Sequence, residues 1–421
     1  MLSSEFVGKR VAVLGAGREG QAAIAALPDS EIIVVADSGS EIEGLPIRRS
    51  LEGVDVDVAV KSPGIPPFHP VVRDLVARGV RVTSGTDLWM TAHARSTIGV
   101  TGSKGKSTTS SLVHALLPES VLGGNIGVPL LALPPADRYV VELSSYQCQS
   151  LTTSPDVAVV TSLFAEHLDW HGSVDAYFTD KLNLLRHGPR IVVANAEDED
   201  VLEWLPRSYD PALVTWVGAD SAYRIRDEHL ERDGERLLSV HDLQVRGRHN
   251  ALNALIALAA ADAAGRVPSA AAAERLAAFA PLAHRLEPIA DPAGAVLFVN
   301  DSLSTSPFAT IEALKAFPDA GAVVLVGGQD RGVDYAPLAA FLAEHPVRGV
   351  VGLPPSGERI TAELPGETVM ATDMVDAVRR AVALGATSVI LSPGAPSYGV
   401  YRDYADRAEH FRAAIREVRE P

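Results

Sequence analysis

Short apolar runs recur along this 421-residue chain, each followed by a turn bearing Gly, Ser or Asn and then by an Ala- or Leu-rich stretch. Such alternation marks strand–helix units, whose parallel strands are apolar throughout because helices cover both faces of the sheet. Arg10–Leu14 is the first run; it leads into GAGREG (Gly15–Gly20) and an Ala-rich helix to Leu27. Ile32–Ala36 is the second and ends in Asp37. Runs at Ile98–Thr101, Tyr139–Leu143, Val157–Ser162 and Ile191–Asn195 predict a second sheet, with a helix over Ser107–Leu117. Those at Ala295–Val299, Ala322–Val326, Gly349–Gly352 and Ser388–Leu391 predict a third. The hydrophilic stretch Asp220–Arg236 predicts loops or an edge hairpin. The expected fold is α/β with three domains: Rossmann-like over 1–92, a central α/β domain over 93–286, and a C-terminal Rossmann-like α/β domain over 287–421.

Composition narrows the partners. A hydrophobic content of 47% supplies buried cores, while a net charge of −16 with no run of Lys or Arg disfavours nucleic acid and anionic membrane surfaces. Asn253 and Asp262 break the Ala-rich stretch Ala251–Ala264, so no membrane span is expected, and Met1–Arg10 lacks the apolar centre of a secretory leader. A cytoplasmic monomer acting on small molecules is the expectation. Cys148 is the single cysteine, which excludes an intrachain disulfide and a cysteine-cluster zinc site.

The segment GVTGSKGKSTT (Gly99–Thr109) carries the strongest chemical signal. A strand end, a glycine-containing loop, Lys106-Ser107 and a helix follow in the order that places backbone N–H groups and a helix N-terminus around phosphate. Val100 stands where the strict P-loop pattern has Gly, yet Gly99, Gly102 and Gly105 supply the backbone freedom. ATP is the expected ligand, with Lys106 on its terminal phosphates and Ser107 placed for Mg²⁺. GAGREG with Asp37 adds a second nucleotide-type site, which alone would suggest a dinucleotide dehydrogenase. Glu142 closes one strand and His167 follows another, at the edge where open α/β sheets bind ligands; a cap or loop hydrogen bond is an equal reading of either by itself. Lys181, in TDKLNLL, reads as a solvated lysine opening an amphipathic helix. Asn250 and Asn253, in GRHNALN, lie at an expected helix start, where Asn250 could be an N-cap. Arg285, in AHRLE where the second domain gives way to the third, offers either a phosphate contact or a salt bridge, and Asp301 ends a strand where it could accept a ribose hydroxyl.

As a set, TGSKGKST, GGNIG, ELSSYQ, EHLDWHG, DKLN, GRHNALN, HRLE and NDS resemble the Mur ligase family of ATP-dependent amide-forming enzymes, in its order and across essentially the whole chain. SPGI, GGQDRGVDY and SPGAPSYGVYRDY resemble its glutamate-adding branch. The resemblance implies ligation of glutamate to UDP-N-acetylmuramoyl-L-alanine in peptidoglycan precursor synthesis. It implies that Gly102, Ser103, Lys104, Gly105, Lys106, Ser107 and Thr108 bind ATP together with Asn253, Arg285 and Asp301. It further implies two Mg²⁺ sites drawing on Ser107, Glu142, His167 and Lys181, with a CO₂-derived carbamate on Lys181 turning an ammonium into an oxygen ligand. Lys106, Glu142, His167 and Lys181 would then be the catalytic set. Gly15, Gly17, Asp37 and Ser38 would hold the UDP moiety, and Asn125 the muramoyl group. One nucleotide site thus serves UDP and the other ATP.

Where the family pattern has NDSKAT this chain has NDSLST, with Leu303 in place of a lysine; Arg331 replaces another lysine, and Gly399 in SPGAPSYG replaces an acidic residue. These departures fall where the resemblance seats the incoming glutamate. They resemble a variant that adds L-glutamate and works with a separate epimerase, rather than the ordinary D-glutamate enzyme. Leu303, Ser304, Thr305, Arg331, Ser397 and Tyr404 are the expected walls of that pocket.

Overall fold

The computed structural model describes residues 5–37, 41–42 and 44–420. Ser38 lies outside the described residues. Three sheets follow one another along the chain. The first comprises β1 (Arg10–Leu14), β2 (Glu31–Val35), β3 (Glu41–Ile42), β4 (Leu45–Arg48), β5 (Val58–Lys61) and β6 (Arg81–Ser84), in the order β3-β4-β2-β1-β5-β6. All neighbours are parallel except β3 with β4. The chain leaves β1 for β2 on one side and returns to β5 on the other, so the carboxyl end of β1 is a topological switch point, where such sheets bind ligands.

The second sheet contains β7 (Thr97–Thr101), β8 (Val121–Gly124), β9 (Tyr139–Glu142), β10 (Val157–Val160), β11 (Ile191–Asn195), β12 (Val214–Val217), β13 (Tyr223–Arg226), β14 (His229–Arg232) and β15 (Glu235–Ser239). Its order is β15-β14-β13-β12-β11-β10-β7-β9-β8. The parallel strand β7 lies between β9 and β10, a second switch point, and the Gly-rich loop leaves from it into the helix Lys106–Leu116. Asp220–Arg236, expected as loops or an edge hairpin, contributes an antiparallel meander, β13-β14-β15, at the sheet edge. Its hydrophilic residues are used in pairs: Arg224 with Glu231 at 3.2 Å across the hairpin, and fully buried Arg232 with Asp262 at 3.0 Å.

β16 (Glu287–Ile289), β17 (Leu297–Asn300), β18 (Ala322–Val326), β19 (Gly349–Gly352), β20 (Thr368–Met370) and β21 (Ser388–Leu391) form the third sheet, ordered β16-β17-β21-β18-β19-β20 and parallel except for β16. Every residue of β10, β18 and β21 is buried, as helices on both faces require. The architecture is thus α/β, with a P-loop sheet between two Rossmann-like sheets along the sequence. Packing groups the chain into two compact units: one runs to Val240 and includes Leu252–Ala277, the other holds His241–Ala251 and the chain from Ala278 onward. No described helix is long and apolar enough to cross a membrane.

Two local expectations need correction. Lys181 does not open a helix; it sits in the last turn of the helix Val174–Leu182, whose N-cap is Ser173, the hydroxyl of which accepts from the Ala176 N–H. Asn250 is not an N-cap either: the helix Arg248–Ala264 has begun before it, and its side-chain amide donates to the Arg246 carbonyl at 2.7 Å.

Candidate functional site

The loop after β7 is shaped by close backbone approach. Gly102 has φ +148°, and a Cβ there would lie 2.0 Å from Thr161 Oγ1, so a side chain is excluded on both counts. Ser103 and Lys104 are tied to the end of β10: the Ser103 N–H donates to the Ser162 carbonyl at 2.7 Å and the Lys104 N–H to Ser162 Oγ at 2.9 Å. Lys104 also pairs with Glu166 at 2.8 Å. Gly105, at φ +82°, precedes the helix that carries Lys106, Ser107 and Thr108, and the last two are buried. Asn253 packs on this helix and accepts from Thr109 Oγ1 at 3.3 Å.

Two lysines converge on one carbonyl. Lys106 Nζ donates to the Gly102 carbonyl at 2.8 Å and to that of Ser103 at 3.1 Å, and Lys181 Nζ reaches the same Gly102 carbonyl at 2.9 Å. Lys181 is 1% exposed; burial and then the neighbouring Lys106 charge push its amine down to about 7. A side chain read as a solvated lysine is instead a buried amine poised to be neutral, which is the form that reacts with CO₂.

Glu142 ends β9 and is 1% exposed. Its Oε1 accepts from Asn125 Nδ2 at 2.6 Å, whereas its Oε2 is buried with no hydrogen-bond partner. An orphaned, buried carboxylate oxygen is costly unless something cationic meets it. Its hard oxygen chemistry, with the Ser107 hydroxyl in the first turn of the helix Lys106–Leu116, fits Mg²⁺. His167 lies beyond β10 at φ +54°, its ring 5.2 Å from that of Tyr146, and partial desolvation holds its imidazole below the ordinary histidine value. Among the described residues, no group of three or more His, Cys, Asp and Glu side chains is clustered for a metal.

Two cavities flank the carboxyl end of β1. One, of about 360 Å³, is lined by Gly15, Asp37, Arg49, Gly64 and His69. The other, of about 330 Å³, is lined by Gly17, Arg18, Ser62, Asn125, Gly127 and Gln147, and so joins the first sheet's loops to those of the second. Arg18 Nη1 donates to the Gly127 carbonyl at 3.0 Å across it, and burial pushes the adjacent Glu19 carboxyl up. Gly15, Gly17, Asp37 and Asn125 therefore line neighbouring hollows. Sequence reasoning missed Lys61, a 4%-exposed residue whose buried ammonium has no hydrogen-bond partner, lies 5.5 Å from the Trp170 ring and is pushed down to about 8 by burial. It also missed His171, which bridges Ser145 Oγ at 2.9 Å and Asp180 at 2.7 Å. His171 falls inside EHLDWHG and Asp180 precedes Lys181, so proximity to motif residues was the available signal.

In the second unit, Asp301 accepts from Ser392 Oγ at 2.8 Å and from the Leu286 N–H at 3.3 Å, and burial pushes its carboxyl up to about 7. The segment after β17 carries half-buried Leu303, buried Ser304 and exposed Thr305. That after β21 carries Ser397, 4% exposed, and that after β18 carries exposed Arg331, whose Nε donates to Gln329 at 3.2 Å. Gln329 N–H in turn donates to the Pro396 carbonyl at 2.7 Å, and the Tyr404 ring lies 5.7 Å from that of His284. Arg285 follows His284, whose ring meets Asn300 at 3.1 Å.

Residues 100–261 match the Mur ligase middle domain. Over 99% of both chains, this sequence is 45% identical to a UDP-N-acetylmuramoyl-L-alanine–L-glutamate ligase from a Micromonospora species. A ligase of the same name from Xanthomonas campestris is 36% identical over 98% of this chain and 96% of its own. Among solved structures, the UDP-N-acetylmuramate–alanine ligase MurC from Thermotoga maritima superposes with a TM-score of 0.63 at 20% identity, covering 97% of this chain and 99% of that one. MurF from the same organism, in complex with ADP, gives 0.64 at 19% identity over 99% and 96%. At these identities the structures speak for the fold alone.

Proposed function

The chain belongs to the Mur ligase family, and from that premise we propose that it is an ATP-dependent ligase that joins L-glutamate to the alanine carboxylate of UDP-N-acetylmuramoyl-L-alanine, in the cytoplasmic synthesis of peptidoglycan precursors. The observation that carries this reading is full-length identity of 45% and 43% to two ligases named for that reaction. D-glutamate addition is the alternative, since the fold and the nucleotide machinery serve either hand equally. Leu303 in place of a lysine supports a differently built amino-acid pocket: an alkyl side chain cannot partner a carboxylate, so glutamate must be seated by other groups. An epimerase acting on the product would complete the sequence.

The UDP moiety would lie in the two cavities beside Gly15, Gly17 and Asp37, with Asn125 toward the muramoyl group. Backbone N–H groups of the loop 102–106 and the helix N-terminus would cradle the ATP phosphates, with Lys106 turning from its loop carbonyls onto them. Asn253, Arg285 and Asp301 would hold the rest of the nucleotide. Ser107 and Glu142 would hold one Mg²⁺, and His167 with carbamylated Lys181 another. Bound there, the ions would neutralise charge on the transferring phosphoryl group. The alanine carboxylate attacks the γ-phosphorus and ADP leaves; the glutamate amine then attacks the acyl carbon of the resulting acyl phosphate, and phosphate departs. Lys106 supplies fixed positive charge through both steps, which is chiefly a positioning and electrostatic task.

The test is phosphate release and product mass with ATP, Mg²⁺ and UDP-N-acetylmuramoyl-L-alanine, with L- and D-glutamate offered in separate reactions. Turnover with L-glutamate is expected. Turnover with D-glutamate alone would establish the alternative, and turnover with neither would refute the ligase assignment.

A further inference from the structure

Arg407, on the helix Tyr404–Arg419, is 0% exposed, and the acceptors around its guanidinium are neutral. Its Nε donates to Ser302 Oγ at 3.1 Å and its Nη2 to the Ser302 carbonyl at 2.7 Å. Its Nη1 donates to the Gly327 carbonyl at 3.3 Å and to the Ala395 carbonyl at 3.1 Å. Those carbonyls belong to the segments that leave β17, β18 and β21, three strands adjacent in the sheet. Past the strand ends no ladder partner satisfies such carbonyls, and one planar fork of donors does so for all three segments at once.

The surroundings are built to admit the fork. A Cβ at Gly328, where φ is +152°, would stand 2.9 Å from Arg407 Nη1 and 2.2 Å from the Pro396 carbonyl oxygen. Ser302 Oγ, while accepting from Arg407, donates to the Tyr404 carbonyl at 2.8 Å, so the helix start is tied into the same knot. The knotted segments carry Leu303, Ser304, Thr305, Arg331 and Ser397, and the helix start carries Tyr404.

We propose that Arg407 is the positioning residue of the amino-acid pocket: without touching the amino acid, its guanidinium holds three strand-end segments and the Tyr404 backbone in the register that selects glutamate and its hand. This rests on the reading of those segments as the glutamate site. A buried cation in the scaffold of that pocket also favours glutamate, a net monoanion, over a neutral amino acid.

The test uses the full chain with Arg407→Met, Arg407→Lys and Ser302→Ala, measuring KM separately for glutamate, ATP and the muramoyl substrate, the L-to-D rate ratio, and the thermal midpoint. Ser302→Ala removes only a hydroxyl and stays informative if the buried-arginine variants fail to fold. The expected result for Arg407→Met is a glutamate KM raised about tenfold or more and a narrowed L-to-D ratio, with the other two KM values within about twofold. Arg407→Lys, which restores a donor but not the fork, is expected to fall between, and Ser302→Ala to raise the glutamate KM about threefold with a lowered midpoint but a folded chain. Folded Arg407→Met or Ser302→Ala with wild-type glutamate KM and wild-type enantiomer ratio would overturn the proposal, as would a parallel rise in all three KM values. If the unsubstituted protein turns over neither enantiomer, the glutamate-site reading has failed instead, so the two failures are distinguishable.

Discussion

Glu142 owes its chemistry to its surroundings: one carboxylate oxygen is occupied by the Asn125 amide and the other is buried without a partner. Glu142→Gln keeps an acceptor for Asn125 and removes the charge. It is expected to raise the Mg²⁺ concentration for half-maximal activity about tenfold or more, read from a Mg²⁺ titration of phosphate release; an unchanged titration with altered thermal stability would make Glu142 structural only. Lys181 gives the pH dependence its sign. Its folded value is pushed down to about 7 from the ordinary lysine range, so between about pH 7 and that range the unfolded chain binds a proton that the native chain does not. Native stability is expected to rise with pH across that window, and Lys181→Met to flatten the rise in denaturant titrations. Identical pH profiles for the two proteins would contradict a buried neutral amine. At this scale the sequence was readable where chemistry comes from local order, as in Gly102–Lys106. It was silent on Arg407, whose partners lie 12, 80 and 105 positions away, because a buried arginine and an exposed one look alike in a string of letters.

At the scale of elements, the strands were legible because buried parallel strands are apolar throughout: β1, β11, β18, β19 and β21 coincide with the apolar runs. The meander β13-β14-β15 was only partly legible, since its charges pair across strands and against Asp262 in place of alternating with apolar residues. The helix Val174–Leu182 was misplaced because its start is set by the Ser173 cap, upstream of Lys181. That helix is joined to Ser145 and to the helix Leu168–His171 through His171, whose side chain is 0% exposed and whose ring packs against those of Tyr146, Trp170 and Tyr177. His171→Ala severs both hydrogen bonds and opens a cavity. A loss of about 2–4 kcal/mol is expected, seen as a lowered thermal midpoint; a midpoint equal to that of the unsubstituted protein would show that the bridge is dispensable.

At the scale of the whole molecule, three sheets place their loops at carboxyl strand ends, and topology alone indicates which ends bind ligands: those of β1 and β7, at the two switch points. The order of sheets along the chain and both nucleotide-type loops were legible in the sequence; the cavity beside β1 that joins two sheets' loops was not, because its walls come from segments about a hundred positions apart, Gly15–Glu19 and Gly124–Gln147. The central claim is that ATP activates a carboxylate for attack by an amine. Its most direct test gives the enzyme UDP-N-acetylmuramoyl-L-alanine with oxygen-18 at both oxygens of the alanine carboxylate, together with ATP, Mg²⁺ and glutamate, and reads the mass of the released phosphate. Activation through an acyl phosphate requires a single labelled oxygen in each phosphate released with product; unlabelled phosphate accompanying product would contradict it.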